Sequence, residues 1–509
     1  MYLCSAFNHE TELKMSLTTL VINIGIVALV LTLGIGFGWK KHKSWPMTFL
    51  QNFTGVLFVF SGWVKAIDPM GTAFKMEQYF AEFENLFSGT FLSFVAPLFP
   101  TLSEYSIAFS VSMIIFEIVL GIALLLGSNG KVTSWLFLLL VAFFTVLTGF
   151  TYLTGYVPQG VHFFDFANWE AYKATNMKVT DCGCFGDFIK LEPKVSFFKD
   201  VVLMIPAIYF VFKHKDMHQL WTPKIRTNIL SASTIVLFIY CINNFIWNEP
   251  HIDFRPFKIG TDVASIKNAE DEAAANVQII AWKLKNKEKG NIIELPNDIY
   301  MKQFLEYPKD KWEVLEQIQS EPAIKRTKIS DFQITDLEGN DYSDVYLANE
   351  KYHFMILTPK LKFTTETSEV IVQDSIFAVD TVMIEGQTEP AIVKNFTGMS
   401  SETVEVKDYI WPKAWLEDYK TTIQTLIDGA VNDGHEVSIV FGGATKEMVD
   451  DFKKDAGIDV DFYTADDILL KTIIRSNPGI VLWKDGKIVH KWHKNRLPSF
   501  DKIKSDFLK

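Results

Sequence analysis

Two of the chain's four cysteines stand one residue apart in Asp181-Cys182-Gly183-Cys184-Phe185-Gly186-Asp187, between two strongly apolar segments. A disulfide across a single residue closes a tight ring, and a strained disulfide is easily reduced, which suits exchange better than stapling. The same spacing also occurs in plain turns and in metal sites. Zinc would need two further ligands, and His162 is the only histidine in that loop, so a metal site is not expected.

The second chemical signal is charge in apolar surroundings. Glu117 sits near the middle of the apolar stretch 107–126 with no polar neighbour beside it. A carboxylate at that depth is costly in lipid, so it should face the bundle interior and be protonated or paired. Two uses stay open: a proton relay or contact with a quinone head, and a plain hydrogen bond between helices. Lys65 and Asp68 close the preceding apolar stretch. The lysine is placed to snorkel and the aspartate to begin a turn before Pro69, as interface anchors do.

These residues need elements to hold them, and the composition says which. The chain has 509 residues, 49% of them hydrophobic, with 43 phenylalanines, which is too long for one ordinary domain and too apolar to lie wholly in water. Apolar residues form long runs from 17 to 247 and alternate with charges from 248 onward, so a membrane half is joined to a water-soluble half. The formal charge of -11, with no basic cluster, excludes nucleic acid as a partner and leaves the lipid bilayer as the expected one. So few cysteines exclude a disulfide-stapled scaffold.

Six stretches are long enough to cross a bilayer as helices: 17–39, 47–67, 107–126, 132–154, 197–212 and 230–247. The first runs into Lys40, Lys41 and Lys43 without a small-residue cleavage site, and reads as a retained anchor. Met15 is an alternative start that would leave Cys4 outside the natural protein. Lys40, Lys41, Lys43, Lys131, Lys213, Lys215, Lys224 and Arg226 fall in loops on one face, which should be cytoplasmic. Lys173, Lys178, Lys190 and Lys194 dilute the bias in the long opposite loop 155–196. On this assignment the cysteine motif and the C-terminal half lie outside the cytoplasm, where a dithiol can cycle. Between the second and third stretches, Phe74, Tyr79, Phe80, Phe83, Leu86 and Phe87 interleave with Lys75, Glu77, Glu82 and Glu84, a pattern expected of an amphipathic helix at the interface.

Ser61-Gly62-Trp63-Val64-Lys65-Ala66-Ile67-Asp68-Pro69, then Glu117, then the cysteine motif before Phe197-Phe198-Lys199-Asp200, together resemble the membrane proteins of the DoxX and MauE group. The resemblance covers 47–212, a four-helix core. It implies a bacterial inner-membrane protein associated with redox processes, either quinone-linked oxidation or support of disulfide formation in the periplasm. It makes Cys182 and Cys184 the thiol pair, with Lys65, Asp68 and Glu117 as a polar cluster beside them and a membrane quinone as the implied cofactor. A vitamin-K-epoxide-reductase-like oxidase would need a Cys-x-x-Cys and a second shuttle pair, which this chain lacks; Cys241 reads as a packing residue.

In the C-terminal half, Thr335-Asp336-Leu337-Glu338-Gly339-Asn340 reads as a hairpin turn and 353–357 as a buried strand. Positions 415–431 are helical, 437–441 a strand, 447–456 a helix, and 479–483 with 487–490 a hairpin about Asp485-Gly486. This order, with Ser330-Asp331-Phe332 and Asn477-Pro478-Gly479, is similar to thioredoxin-like domains of the periplasmic thiol-reductase type. It implies a cis bond at Pro478. The strand ending at Leu357 is followed by Thr358-Pro359-Lys360-Leu361-Lys362 and no Cys-x-x-Cys, so a domain of this kind would bind without exchanging electrons.

The expected organisation is an anchor helix and basic loop (1–46), a transmembrane domain (47–247), a connecting periplasmic region (248–328) and a thioredoxin-like periplasmic domain (329–509). The expected function is thiol-disulfide or quinone-linked redox chemistry. The alternative is a non-enzymatic scaffold that presents the soluble domain to a periplasmic or envelope protein, and transport past Glu117 is a distant third.

Overall fold

The computed structural model describes residues 16–179, 183–382 and 391–508. Two compact units divide the chain at Arg255 and Pro256.

Among the described residues of the first unit, six helices are long and apolar enough to cross a membrane. They are α1 (Leu17–Leu33, extended by a π turn to Gly38), α2 (Trp45–Ile67), α5 (Ser106–Leu126), α6 (Gly130–Thr154), α7 (Pro193–Lys213) and α8 (Pro223–Ile242, extended by a π turn to Trp247). Proline opens α7 and α8 and stands second in α2, where its missing N–H would be unpaired in any case. Two amphipathic pieces, α3 (Pro69–Phe87) and α4 (Leu98–Glu104), lie between α2 and α5. The fifth and sixth spans start earlier than apolar character suggests. Lys199 and Asp200 fall inside α7, and Lys224 and Arg226 inside the first turn of α8.

Side-chain hydrogen bonds sort the helix ends into two groups. Gln51, near the start of α2, donates to Leu124 O at the end of α5 and to His218 O just past α7. At the other end, Ser110 donates to Pro69 O and Asn244 to Ala66 O. Successive spans therefore run antiparallel, as short connections require. The core of the bundle is apolar: Leu57 and Phe58 of α2, Leu124 of α5, Phe137 of α6 and Phe210 of α7. Between α2 and α5 the packing depends on having no side chain. A Cβ on Gly121 would lie 2.9 Å from Gly55 O, and one on Gly62 would lie 2.4 Å from Ile118 Cγ1. Small residues at such a seam let two backbones approach and gain dispersion contact where lipid supplies no hydrophobic drive.

The helix expected at the interface is present as α3, and it folds onto the bundle. Tyr79 is 1% exposed and its hydroxyl bonds Thr151 of α6 at 2.7 Å, while Ser106 of α5 donates to Glu77. The exposed apolar side chains come after it, at Phe91, Phe94 and Leu98.

The second unit contains α9 (Val263–Ala275) and a three-stranded antiparallel sheet of β1 (Ile279–Asn286), β2 (Ile292–Pro296) and β3 (Trp312–Gln319), with α10 (Asn297–Gln303) before β3. Then follow α11 (Ser343–Leu347), β4 (His353–Thr358), β5 (Thr364–Val382), β6 (Ala391–Ile410), α12 (Lys413–Glu417), α13 (Gln424–Asn432), β7 (Glu436–Gly442) and α14 (Lys446–Ala456). The chain closes with β8 (Asp461–Ala465), α15 (Asp467–Ile473), β9 (Gly479–Lys484), β10 (Lys487–His493) and α16 (Phe500–Phe507). The central sheet has the order β10-β9-β4-β7-β8; β4 is parallel to β7 and antiparallel to β9, and β7 is parallel to β8. Side-chain alternation fills both faces. Phe354, Ile356, Ile439, Phe441, Ile480 and Leu482 join one core with Tyr419 and Phe452. Met355, Leu357, Val440, Val481 and Trp483 join the other with Phe257 and Phe332. The Asn477–Pro478 bond, just before β9, is cis. β5 and β6 form a sheet of their own, inserted directly after β4.

Candidate functional site

Inside the first unit the structure encloses a cavity between α2, α3, α5, α6, α7 and the loop that follows residue 182. Its wall holds Cys184, two lysines and two carboxylates: Lys65 and Glu117, Lys199 and Asp200. Three of the sequence signals, Lys65, Glu117 and Cys184, thus meet in one place.

Each charge is held by a defined element. Lys65 lies in the last turn of α2 and Glu117 at mid-length of α5, and Nζ meets Oε2 at 2.5 Å with both residues buried. The ammonium also stands 5.0 Å from the centre of the Phe144 ring, a cation–π contact that strengthens where water is absent. On the facing wall, Lys199 meets Asp200 Oδ1 at 2.5 Å, and Thr148 of α6 donates to Asp200 Oδ2 at 3.0 Å. Taking charges out of water costs several kcal/mol per ion unless they are closely paired, and each of these has a partner. Glu117 is therefore a paired, inward-facing carboxylate.

The loop is shaped by its glycines. Gly183 has φ +59 and Gly186 φ +53, left-handed backbone that costs a side-chain-bearing residue energy. Gly186 N–H donates to Gly183 O at 3.1 Å, which turns the chain back over the cavity. Phe185, 1% exposed, packs into the bundle core with the Lys199 ammonium 5.7 Å from its ring centre. Ser61 of α2 donates to Cys184 O at 2.9 Å and ties the turn to the bundle.

Cys184 is partly buried, and burial pushes its thiol above the ordinary range; Lys199 and Lys65 pull it down, while Asp200 and Glu117 push it up. At neutral pH Cys184 is a thiol. Cys182 and Asp181 lie outside the described residues. Asp68 is not on the cavity wall. It caps α3, accepting from Gly71 N at 3.1 Å, and its charge acts on the buried Arg255. Burial pulls the Arg255 guanidinium down, but Asp253, Glu249 and Asp68 outweigh it and hold the group above its usual range. Cys241, fully buried, packs against Ala66, Val111, Ile114 and Ile118. His162 bonds Leu86 O. Among the described residues no cluster of three or more His, Cys, Asp and Glu is arranged to hold a metal.

Most wall residues had no role assigned from sequence, Lys199, Asp200 and Thr72 among them. Lys199 and Asp200 stand as adjacent charges within an apolar run, which is the signal that could have singled them out. Thr72 carries no comparable mark. Its hydroxyl is buried on the cavity wall without a hydrogen-bond partner.

Residues 43–159 match the family model of the methylamine utilisation protein MauE. The match takes in α2 through α6, with Lys65 and Glu117, and ends before Cys184 and α7. No curated protein and no solved structure matched the chain. Together with the six membrane-capable helices, the match identifies 43–159 as a MauE-like segment of a multi-pass membrane protein.

Proposed function

We propose that the protein is an inner-membrane redox component of the DoxX/MauE kind, in which Cys182 and Cys184 cycle between dithiol and disulfide and exchange electrons with a membrane quinone. The observation that carries this reading is Cys184 on the wall of a cavity among membrane-capable helices that also holds the Lys65–Glu117 and Lys199–Asp200 pairs. A thiol beside paired charges in an otherwise apolar chamber has both an electron source and groups that can move protons. If each of the six helices crosses once, the loop 155–192 and everything after 247 share the face opposite Lys40, Lys131, Lys215 and Lys224. By the positive-inside bias that face is the periplasm.

The second unit fits the role of a thioredoxin-like domain that presents a client. Support comes from the order β10-β9-β4-β7, with β4 parallel to β7 and antiparallel to β9. No cysteine occurs after Cys241, and the long β5–β6 pair leaves the sheet where a Cys-x-x-Cys would stand. This domain binds and does not exchange electrons.

That same lack of a second dithiol favours one other reading, a membrane scaffold for an envelope complex. Changing both Cys182 and Cys184 to serine separates the two. A redox component loses periplasmic thiol oxidation although the protein still accumulates in the membrane, whereas a scaffold keeps its complex and its phenotype.

A further inference from the structure

The excursion between α2 and α5 leaves and re-enters the bundle at one place, because Ser110 Oγ near the start of α5 donates to Pro69 O at the start of α3 at 2.8 Å. It therefore stays at one end of the bundle. The Cys184 loop lies at that end too, where a Cβ on Gly183 would stand 3.4 Å from Lys75 Cγ. Within the excursion the sequence from Asn85 to Ser103 carries no charge, yet it forms no span. Gly89 at φ +75 turns the chain after α3, and Pro97 caps the short α4, so the apolar run is folded rather than straight. Its backbone is closed on itself. Ser93 N–H donates to Thr90 O, Val95 to Leu92 O, Ala96 to Ser93 O, Leu98 to Val95 O and Phe99 to Ala96 O, at 2.9–3.2 Å. Amides paired in this way lower the cost of taking backbone out of water. The segment has two faces. Phe99 packs inward on Phe80, Phe83 and Phe87 of α3, with ring centres 5.7–6.4 Å apart, and Ala96 is buried. Outward, Phe91 is 89% exposed, Phe94 75% and Leu98 58%.

We infer that residues 88–105 form a wedge seated in the bilayer interface, with Phe91, Phe94 and Leu98 among the acyl chains of the leaflet on the Cys184 side, and that this wedge anchors α3. Lipid is the occupant the surface fits. A patch built for a water-soluble partner has a polar, charged rim, whereas the charges nearest in sequence are Glu84 and Glu104, at the two ends of the run. Tyr105, exposed beside Glu104, places an amphipathic ring where headgroups would begin. The unit that carries the segment also has six helices long and apolar enough to span a bilayer. An apolar run too folded to span beside such helices is what an interfacial element looks like. The anchoring matters because α3 is more than a connector. Thr72 and Met76, in its first half, line the cavity, while Tyr79 bonds Thr151 of α6 and Glu77 accepts from Ser106 of α5. This part of the cavity wall is held from two sides, by polar bonds to the bundle and by the wedge to lipid.

The test uses the full chain in nanodiscs of phosphatidylethanolamine and phosphatidylglycerol, with the photoreactive residue p-benzoylphenylalanine in place of Phe91, of Phe94 or, for comparison, of exposed Lys285 in β1. After illumination, the peptide containing position 91 or 94 should gain the mass of one phospholipid, and the peptide containing position 285 should gain none. A cross-link from 91 or 94 to a second polypeptide, no lipid adduct at either, or equal lipid labelling at 285 overturns the assignment. Hydrogen–deuterium exchange reads the anchoring separately. Phe91→Ser combined with Phe94→Ser should speed exchange across residues 72–80 several-fold while residues 112–122 of α5 keep their wild-type rate, a split that a general loss of folding would not give. Lipid adducts at 91 and 94 with unchanged exchange across 72–80 overturn the anchoring of α3. None of these readouts involves thiol chemistry, so their failure leaves the redox reading where it stood.

Discussion

At the scale of single residues, the site is a balance between charges that must be paired and a thiol that is not ionised. Removing one member of the Lys65–Glu117 pair leaves a bare charge inside the bundle, at a cost of about 3–5 kcal/mol. Lys65→Ala should therefore lower the unfolding midpoint of the detergent-solubilised protein by roughly 10 °C. The double change Lys65→Met with Glu117→Leu should recover most of that loss, because no bare charge remains; equal losses in both would show that the pair is not the cause. The thiol gives a pH prediction of definite sign. Burial raises Cys184 above the ordinary thiol range, so its alkylation by iodoacetamide should be slow at neutral pH. Alkylation should still be accelerating above the pH at which a free thiol has levelled off, as mass spectrometry of the Cys184 peptide would follow. Glu117 was legible in the sequence because charge within an apolar run is rare and demands a reason; Lys65 read as a snorkelling anchor at the interface, and it is instead buried and paired with Glu117. Their union was not legible, since 52 positions separate them and only the packing of α2 on α5 brings them together. Asp68 was legible as a turn former and serves as one, away from the cavity.

At the scale of elements, two features carry consequences. The α2–α5 seam has no room for side chains at Gly55, Gly62 and Gly121. Gly121→Val must push the helices apart, loosening the same contact that aligns Lys65 with Glu117, and should cost about 1–3 kcal/mol; a thermal shift assay in detergent reads it. The β5–β6 pair, in contrast, is a two-stranded sheet separate from the five-stranded one. Its base stays in register through Glu366 and Asp408, so replacing 367–407 by an Asn-Gly turn should close cleanly. The unfolding midpoint of the second unit should then move by no more than about 4 °C, and any client contact made by exposed Ile371, Phe396 or Met399 should be lost. The six spans, β4, β7 and the β9–β10 hairpin were readable because each is a continuous apolar run or an alternating one closed by a turn signal. The three-stranded sheet β2-β1-β3 was not. Its strands alternate lysine and glutamate with aliphatic residues that stay exposed, such as Ile280, Ile292 and Val314, so little burial marks them.

At the scale of the whole molecule, all the thiols of the described residues belong to the membrane unit, and the C-terminal unit has none. The six membrane-capable helices were plain from composition alone, because apolar runs of such length cannot be mistaken. The cavity was invisible at that level, since it is built from five helices and a loop that no local pattern connects. The account stands or falls on whether the pair changes oxidation state in the living membrane. Cells grown under oxidising and reducing conditions are quenched in acid, alkylated, reduced and alkylated again with a heavier reagent, and the peptide containing Cys182 and Cys184 is weighed. The account predicts that both cysteines shift together from the disulfide form to the dithiol form as growth becomes reducing; a pair that keeps one oxidation state under both conditions contradicts it.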